Sequence, residues 1–256
     1  MPVNATAHEA PEAGGAPTSA ARATDTQALH RWLRRLARVF DLDAVRAGTL
    51  QATDVVDYYE CNHAAYRRWH SSEGAVHMAL NPDGRFDPAG FSGQARRIEA
   101  RWANAAAWPT PPRDVLELAF GQGFNLGFLV PRHADKRFQG IDLTPAHEAL
   151  TRERLASLPD RAGARVELFQ GDFHHLPQAD ASIDAAWCIE SMCHATDLRR
   201  ALAEVARVLR PGGEFTLFDG YLPRPPAVLT SEEQLAAELV ARGLAVPELQ
   251  IVDEVL

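Results

Sequence analysis

The stretch Val115-Leu116-Glu117-Leu118-Ala119-Phe120-Gly121-Gln122-Gly123 constrains this chain more than any other. An apolar run carrying a single acid ends in two closely spaced glycines, and a helix-like pattern follows. The run reads as a strand. The glycines permit a tight turn and let backbone approach a ligand closely, and the helix start offers unpaired N–H groups. Strand, glycine turn and helix in succession form the opening unit of a parallel sheet that binds its ligand at the carboxyl ends of its strands.

The pattern continues downstream. Strands are expected at Val115–Ala119, Phe138–Asp142, Val166–Phe169, Ala185–Ile189 and Glu214–Phe218, with helical patterns between them. One helix, Asp197–Leu209, stops at Arg210-Pro211-Gly212-Gly213. Such alternation predicts an α/β fold, a doubly wound Rossmann-like parallel sheet with helices on both faces. Four parts are expected: a disordered tail over 1–24, a helical cap or lid over 25–112, the ligand-binding sheet domain over 113–220, and a linker with a C-terminal helix over 221–256. Residues 1–24 are poor in bulky side chains. Thr24 or Asp25 is placed to cap a helix running to about Phe40, with Leu29, Trp32, Leu33, Leu36 and Phe40 on one stripe. The cap is rich in rings: Tyr58, Tyr59, Tyr66, Trp69, His70 and His77. The Pro-rich link Leu222-Pro223-Arg224-Pro225-Pro226 precedes a helix near Thr230 or Ser231, where Ser231 and Gln234 have capping-box spacing.

Composition narrows the function classes. A net charge of −8 argues against a phosphate-backbone partner, so no nucleic acid is expected. The arginines Arg31, Arg34, Arg35 and Arg38 read as one solvated helix face. No apolar run approaches the roughly 20 residues of a membrane span, and no secretory signal is read at the N-terminus. Cys61, Cys188 and Cys193 are too scattered for a disulfide framework or zinc ribbon, which suggests a reducing, cytoplasmic setting. His63, His70 and His77 recur every seven residues, but no carboxylate or cysteine completes a set and Gly74 interrupts the helix, so no metal is expected.

Three acids define the ligand. Glu117 closes the first strand, Asp142 the second, and Asp172 follows the third beside Phe173. A carboxylate at the second position offers paired acceptors to a vicinal ribose diol. Its alternative, a helix N-cap, is met downstream by Thr144-Pro145. A dinucleotide site disfavours an acid beside its pyrophosphate, and the third glycine of G-x-G-x-x-G is replaced by Leu126, which weakens a nicotinamide reading. S-adenosylmethionine (SAM), with an ammonium and a sulfonium, suits the three acids: amino-acid end at Glu117, ribose at Asp142, adenine at Asp172 and Phe173. Tyr58 and Trp69 are expected to close over the sulfonium and substrate. Ala119, Gly121, Gly123, Asn125, Leu143, Thr144 and Ile189 join the expected cofactor contacts.

The region from about Arg113 to Tyr221 resembles the class I SAM-dependent methyltransferases. Glu117-x-Ala119-x-Gly121-x-Gly123 is similar to their first motif, Gly140-Ile141-Asp142 to the second and Gly171-Asp172-Phe173 to the third. Ser182-Ile183-Asp184 and Leu209-Arg210-Pro211-Gly212-Gly213 are similar to further signatures. Ala119 stands where the family usually has glycine. Trp187-Cys188-Ile189-Glu190-Ser191-Met192-Cys193-His194-Ala195 resembles a segment of the sterol C-methyltransferases, and Tyr58-Tyr59-Glu60 with His77 resembles the lid of that group and of the tocopherol methyltransferases. The resemblance implies two further strands after the fifth. Only 36 residues follow Gly220, so those strands are expected to be missing through truncation, or the open edge to be covered by another subunit.

Glu190 and His194, four apart where strand four passes into its helix, can share a face and are the expected catalytic pair. A carboxylate can stabilise a substrate cation after methyl addition to an alkene, and either group can take a proton. The plainer alternative makes Glu190 a helix cap and His194 a packed core residue. The expectation is a SAM-dependent methyltransferase that C- or O-methylates a small apolar metabolite, possible as a homo-oligomer. Two alternatives stay open: a SAM-binding protein without methyl transfer, and an NAD(P)-dependent oxidoreductase.

Overall fold

The five-residue run Asp114–Leu118 is buried at every position, as a central strand with both faces covered must be. In the computed structural model, which describes residues 19–38, 41–47, 51–159, 166–220, 231–232 and 234–236, this run is β1. The other strands are β2 Arg137–Asp142, β3 Val166–Gln170, β4 Ile183–Ile189 and β5 Leu209–Phe218. They form one sheet in the order β3-β2-β1-β4-β5, with every neighbouring pair parallel. Winding proceeds outward from β1 to β3 and then reverses to β4 and β5. The reversal puts a crevice at the carboxyl ends of β1 and β4, where ligands of such sheets bind.

Alternation along the strands sorts the core into two layers. Val115, Phe138, Ala185 and Trp187 pack with Ile98 and Trp102 of helix α4 (Gly93–Trp102) and Leu126 and Leu129 of α5 (Phe124–Leu129). Leu116, Leu118, Ala186 and Cys188 pack on the other side with Ala201, Val205 and Val208 of α7 (Leu198–Val208). Glu117 has the parity of Val115, so its carboxylate belongs to the α4–α5 side. Helix α6 (Pro145–Ala156) links β2 to β3.

Two of the sequence signatures act at the amino ends of the strands. Asp184 accepts from the Arg113 and Asp114 amides at 2.8 and 2.9 Å and from Arg210 at 2.6 Å. Between the register pairs Ile183–Leu209 and Ala185–Glu214 the protein fits Arg210-Pro211-Gly212-Gly213, with Gly212 at φ +82°. The expected turn is thus a bulged insertion at the start of β5. Asp197, expected as the first residue of this helix, is its N-cap, its side chain accepting from the Arg200 amide at 3.0 Å.

The described residues fall into two compact units, one with α1 (Ser19–Leu36), α2 (Leu42–Ala47) and residues 231–232 and 234–236, the other spanning 51–220. In the first, Leu29 and Leu33 are buried with Leu36, Leu42, Leu235 and Ala236. Helix α1 begins at Ser19, so Thr24 and Asp25 lie inside it and cannot cap it. The Ala20-Ala21-Arg22-Ala23 run lacks bulk but has high helix propensity, and it extends the helix upstream. Phe40, the Pro-rich link and Leu249–Val252 lie outside the described residues, as do residues 1–18.

In the second unit, helix α3 (Ala52–Ala65) runs into a π-helical turn, Tyr66–His70. An extended segment over 71–80 follows, then a 3-10 turn Pro88–Ser92 and α4. His63, His70 and His77 therefore fall on three different backbone conformations and do not line one face. No metal-binding group of side chains occurs among the described residues. No described helix is long and apolar enough to cross a membrane.

Candidate active site

A cavity opens at the switch point, with about 640 Å³ of empty space that includes room open to solvent. Its walls come from the ends of β1, β2 and β3, from the β4 loop, and from α3 and the 71–80 segment. Of the residues singled out in the sequence, Ala119, Gly121, Asp142, Leu143, Thr144, Asp172, Phe173 and His194 line it. Tyr59, Val76, His147 and His174 line it as well.

The glycine turn is tight. Ala119, Gly121 and Gly123 take φ of +55°, +54° and +72°. A Cβ on Gly123 would stand 2.6 Å from Thr151 Cγ2, and one on Gly121 3.0 Å from Val76 Cγ2. Asp142 organises the turn from below. Its Oδ2 accepts from the Gly121 amide at 2.8 Å, and its Oδ1 accepts from the Thr144 amide at 2.8 Å and from His147 Nδ1 at 3.1 Å. Thr144 occupies the N-cap position of α6 with Pro145 after it, yet its side chain makes no cap bond. His147, with Nδ1–H committed to Asp142, is left with Nε2 buried and without a partner in the protein.

Asp172 is held in the same manner. Its Oδ1 accepts from the amide and Nδ1 of His174 at 2.8 and 2.5 Å. His174 Nε2 accepts from the Asp197 amide at 3.2 Å, which fixes the proton on Nδ1. The loop pair His174-His175, given no role from sequence, thus supplies the residue that aims the third acid.

Behind the turn, Glu117 is 1% exposed. Asn125 Nδ2 donates to its Oε1 at 3.1 Å, and its Oε2 has no partner in the protein. Burial raises the Glu117 pKa to about 8; the neighbouring Asn125 and Trp187 oppose the shift and Asp142 adds to it. Glu117, Gly123, Asn125 and Ile189 stand outside the cavity's walls.

At the end of β4 the expected pair separates. Glu190 sits at φ +49°, followed by a 3-10 turn Met192–His194, and α7 starts only at Leu198, so Glu190 and His194 share no helix face. Both Glu190 oxygens accept from the Met78 amide, at 3.1 and 3.0 Å, which ties the 71–80 segment to β4. Glu190 is not a helix cap, and it does not line the cavity. His194 Nε2 meets Tyr59 Oη at 3.2 Å, and their rings cross edge-on at 5.9 Å. Burial lowers the His194 pKa, which favours the neutral ring beside the phenol. Burial first, then Tyr66, Cys193, Tyr58 and Asp142, drive the Tyr59 pKa well above the usual phenol range.

The lid rings divide by helix phase. Tyr58 is 48% exposed and bonds Tyr66 Oη at 3.0 Å, and Trp69 is 79% exposed under the Arg68 guanidinium. Neither lines the cavity. Tyr59, one residue on and so about 100° around α3, faces inward and also packs on His147 at 5.3 Å. The sequence singled out Tyr58, whereas Tyr59 lines the cavity, because the phase of α3 rests on its packing and not on a strong apolar stripe. His147 was missed because five residues past Asp142, on α6, it carries no motif. The cysteines are free thiols, and burial raises that of Cys188.

Residues 115–213 match a family described as a methyltransferase domain. Methyltransferase GfsG of Streptomyces halstedii is 30% identical over 65% of this chain and 57% of its own length. The 24-methylenesterol C-methyltransferase 2 of Oryza sativa subsp. japonica is 30% identical over 57% of this chain and 39% of its own length. The chain thus spans less than two thirds of these curated relatives. Among solved structures, the [4+2]-cyclase SpnF superposes with a TM-score of 0.60 at 18% identity, covering 76% of this chain and 73% of its own.

Proposed function

We propose that the chain is a class I SAM-dependent methyltransferase, as its match to a methyltransferase domain over residues 115–213 supports, and that it binds SAM in the switch-point cavity and methylates a small apolar metabolite at carbon or oxygen. The observation that carries this reading is the pair of aimed acids, Asp142 and Asp172, on one cavity with the Ala119–Gly121 turn. Asp142 takes the ribose hydroxyls, with Leu143 and Thr144 beside it. Asp172 and Phe173 take the adenine. Glu117 and Asn125 take the amino-acid end, and the unpartnered Glu117 Oε2 fits a cationic donor. Bound there, the cofactor supplies an electrophilic methyl group for direct displacement.

This protein's own residues align the acceptor, exclude water and move one proton. Tyr59 donates its hydroxyl hydrogen to His194 Nε2 while its oxygen takes the proton leaving the substrate, so the phenol is restored and the charge rests on imidazolium. His194 is the proton acceptor, Tyr59 the relay, and Glu190 positions the 71–80 segment. The apolar side chains Val55, Val76 and Ile141 on the cavity wall suit an apolar acceptor.

Calorimetry with S-adenosylhomocysteine (SAH) against NADH tests the cofactor, and turnover on a panel of isoprenoid and polyketide-like acceptors tests transfer. Tight SAH binding with no product from any acceptor supports the alternative of a SAM-binding protein without methyl transfer. Binding of NADH in place of SAH overturns the reading. In the same proposal the partner is a small molecule and not nucleic acid. Three free thiols suit a reducing, cytoplasmic setting. The outer edge of β5, unpaired among the described residues, suits a homo-oligomer, checked by light scattering.

A further inference from the structure

The loops that leave β3 and β4 meet at one imidazole, although β2 and β1 lie between those strands in the sheet. His174, buried on the loop after β3, presents a hydrogen on Nδ1 to Asp172 Oδ1 at 2.5 Å and a lone pair on Nε2 to the Asp197 amide at 3.2 Å. An amide nitrogen can only donate, so the ring spends both nitrogens, one on each loop. Asp197 ends the segment 191–196 and is the N-cap of α7. Asp172, Phe173 and His174 on one loop, and Ser191, His194 and Thr196 on the other, all line the cavity.

The β3 loop is also fastened to the body of α7 by bonds that do not involve the ring. Arg200 Nε donates to the His174 carbonyl at 3.2 Å, and Glu204 Oε2 accepts from the Leu176 amide at 2.9 Å. Arg207 donates to the Leu176 and Gln178 carbonyls at 2.8 and 2.9 Å. The bond between His174 and the Asp197 amide differs from these, because each of its ends answers to a group on the cavity wall. At one end Asp172 orients the ring. At the other, the amide closes the segment that carries His194. The two donors that His174 gives Asp172, its amide at 2.8 Å and its Nδ1, both fall on Oδ1, which leaves Oδ2 for a ligand.

We infer that His174 is a positioning residue that couples the cofactor side of the cavity to the acceptor side. An adenine amino group held by Asp172 steadies the ring, and the ring steadies the Asp197 amide and with it the segment that carries His194. The inference rests on the cofactor reading above and deepens it, since the adenine then prepares the acceptor side before the acceptor arrives. Such coupling is reciprocal, so an ordered acceptor side tightens the cofactor in turn. Phe173, whose ring lies 5.0 Å from that of His174, packs against the same joint.

Hydrogen exchange at single-amide resolution on the full-length protein reads the coupling at Asp197. The Leu176 amide is the reference, because Glu204 and not the ring holds it. In wild type, saturating SAH is expected to slow exchange at Asp197 by at least about fivefold. His174→Asn keeps a donor for Asp172 but is too short to reach the Asp197 amide. It is expected to bind SAH within about threefold of wild type by calorimetry and to abolish the slowing, with Leu176 exchange unchanged. S-inosylhomocysteine, in which an oxygen replaces the adenine amino group, makes the same test on wild type without a substitution. At matched occupancy it is expected to leave Asp197 exchange unchanged, and it decides the matter should His174→Asn loosen the Leu176 amide. SAH that binds wild type without slowing Asp197 overturns the coupling and leaves the cofactor reading standing. So does equal slowing by S-inosylhomocysteine, or in His174→Asn with Leu176 unchanged. Failure of SAH to bind wild type overturns the cofactor reading itself.

Discussion

The Gly121 amide donates to Asp142 Oδ2 at 2.8 Å, so the turn after β1 is suspended from the acid that ends β2. The other Asp142 oxygen accepts from the Thr144 amide and His147 Nδ1. Every neighbour of the carboxylate in this network is a donor. Asp142→Asn places an NH2 against at least one of them. The expected cost is about 1–3 kcal/mol of stability and at least a tenfold loss of SAH affinity. Thermal unfolding and calorimetry on the same sample check both.

Ala119 holds φ +55° at a position where a glycine would be unstrained. Left-handed backbone costs an alanine about 1–2 kcal/mol, and glycine's looser unfolded state returns about 0.4–1 kcal/mol of that. Ala119→Gly is expected to stabilise the protein by up to about 1 kcal/mol, a rise in Tm of roughly 2–4 °C. Gly123→Ala is the converse, at φ +72° with its Cβ 2.6 Å from Thr151. It is expected to destabilise by roughly 2–4 kcal/mol. A Tm that falls for Ala119→Gly would contradict the strain argument.

The sheet was legible because buried strands and glycine turns are written in local sequence: four of the five strands lie within two residues of their expected bounds, and β5 begins five residues early at Leu209. Ala119, Gly121, Asp142, Asp172 and Phe173 were legible as well, since the ends of parallel strands converge whatever packs above them. Tyr59, His147 and His174 were not. Tyr59 depends on the rotation of α3 about its axis, which sequence sets weakly when a helix has no fully buried residue. His147 and His174 act through Asp142 and Asp172, and a residue that aims another leaves no pattern of its own. Glu190 was read by its spacing from His194 as if one helix continued from β4. The positive φ at Glu190 and the 3-10 turn leave the two residues on no common helix face.

Glu190 tethers the 71–80 segment by placing both oxygens on the Met78 amide. Glu190→Ala is expected to speed hydrogen exchange at the Met78 amide by roughly ten- to a hundredfold, the loss of about 1.5–3 kcal/mol of local protection. KM for the methyl acceptor and for SAM is expected to rise more than kcat falls. A direct catalytic role predicts the reverse, a collapse of kcat with normal exchange at Met78, and mass-resolved exchange with steady-state kinetics separates the two.

Glu117 makes the stability of the ligand-free protein fall with pH. Its carboxyl has a pKa of about 8 in the folded state against 4.5 as the ordinary value, so the folded state binds the proton that the unfolded state has released. The stabilisation is complete below the ordinary value and is lost as pH rises through the folded one, with a limiting slope of about 1.4 kcal/mol per pH unit. His77 and His194 act oppositely. Their pKa values are lowered from 6.5, so their contribution is present above that value and lost as pH falls below it. Glu117→Gln is expected to flatten the alkaline decline while leaving the acid one, as read by chemical denaturation from about pH 5 to about pH 8. Saturating SAH is expected to flatten it in wild type too, because an ammonium beside Glu117 restores its ionised form. A wild-type curve that declines equally with and without SAH would show that Glu117 does not meet the cofactor's charge.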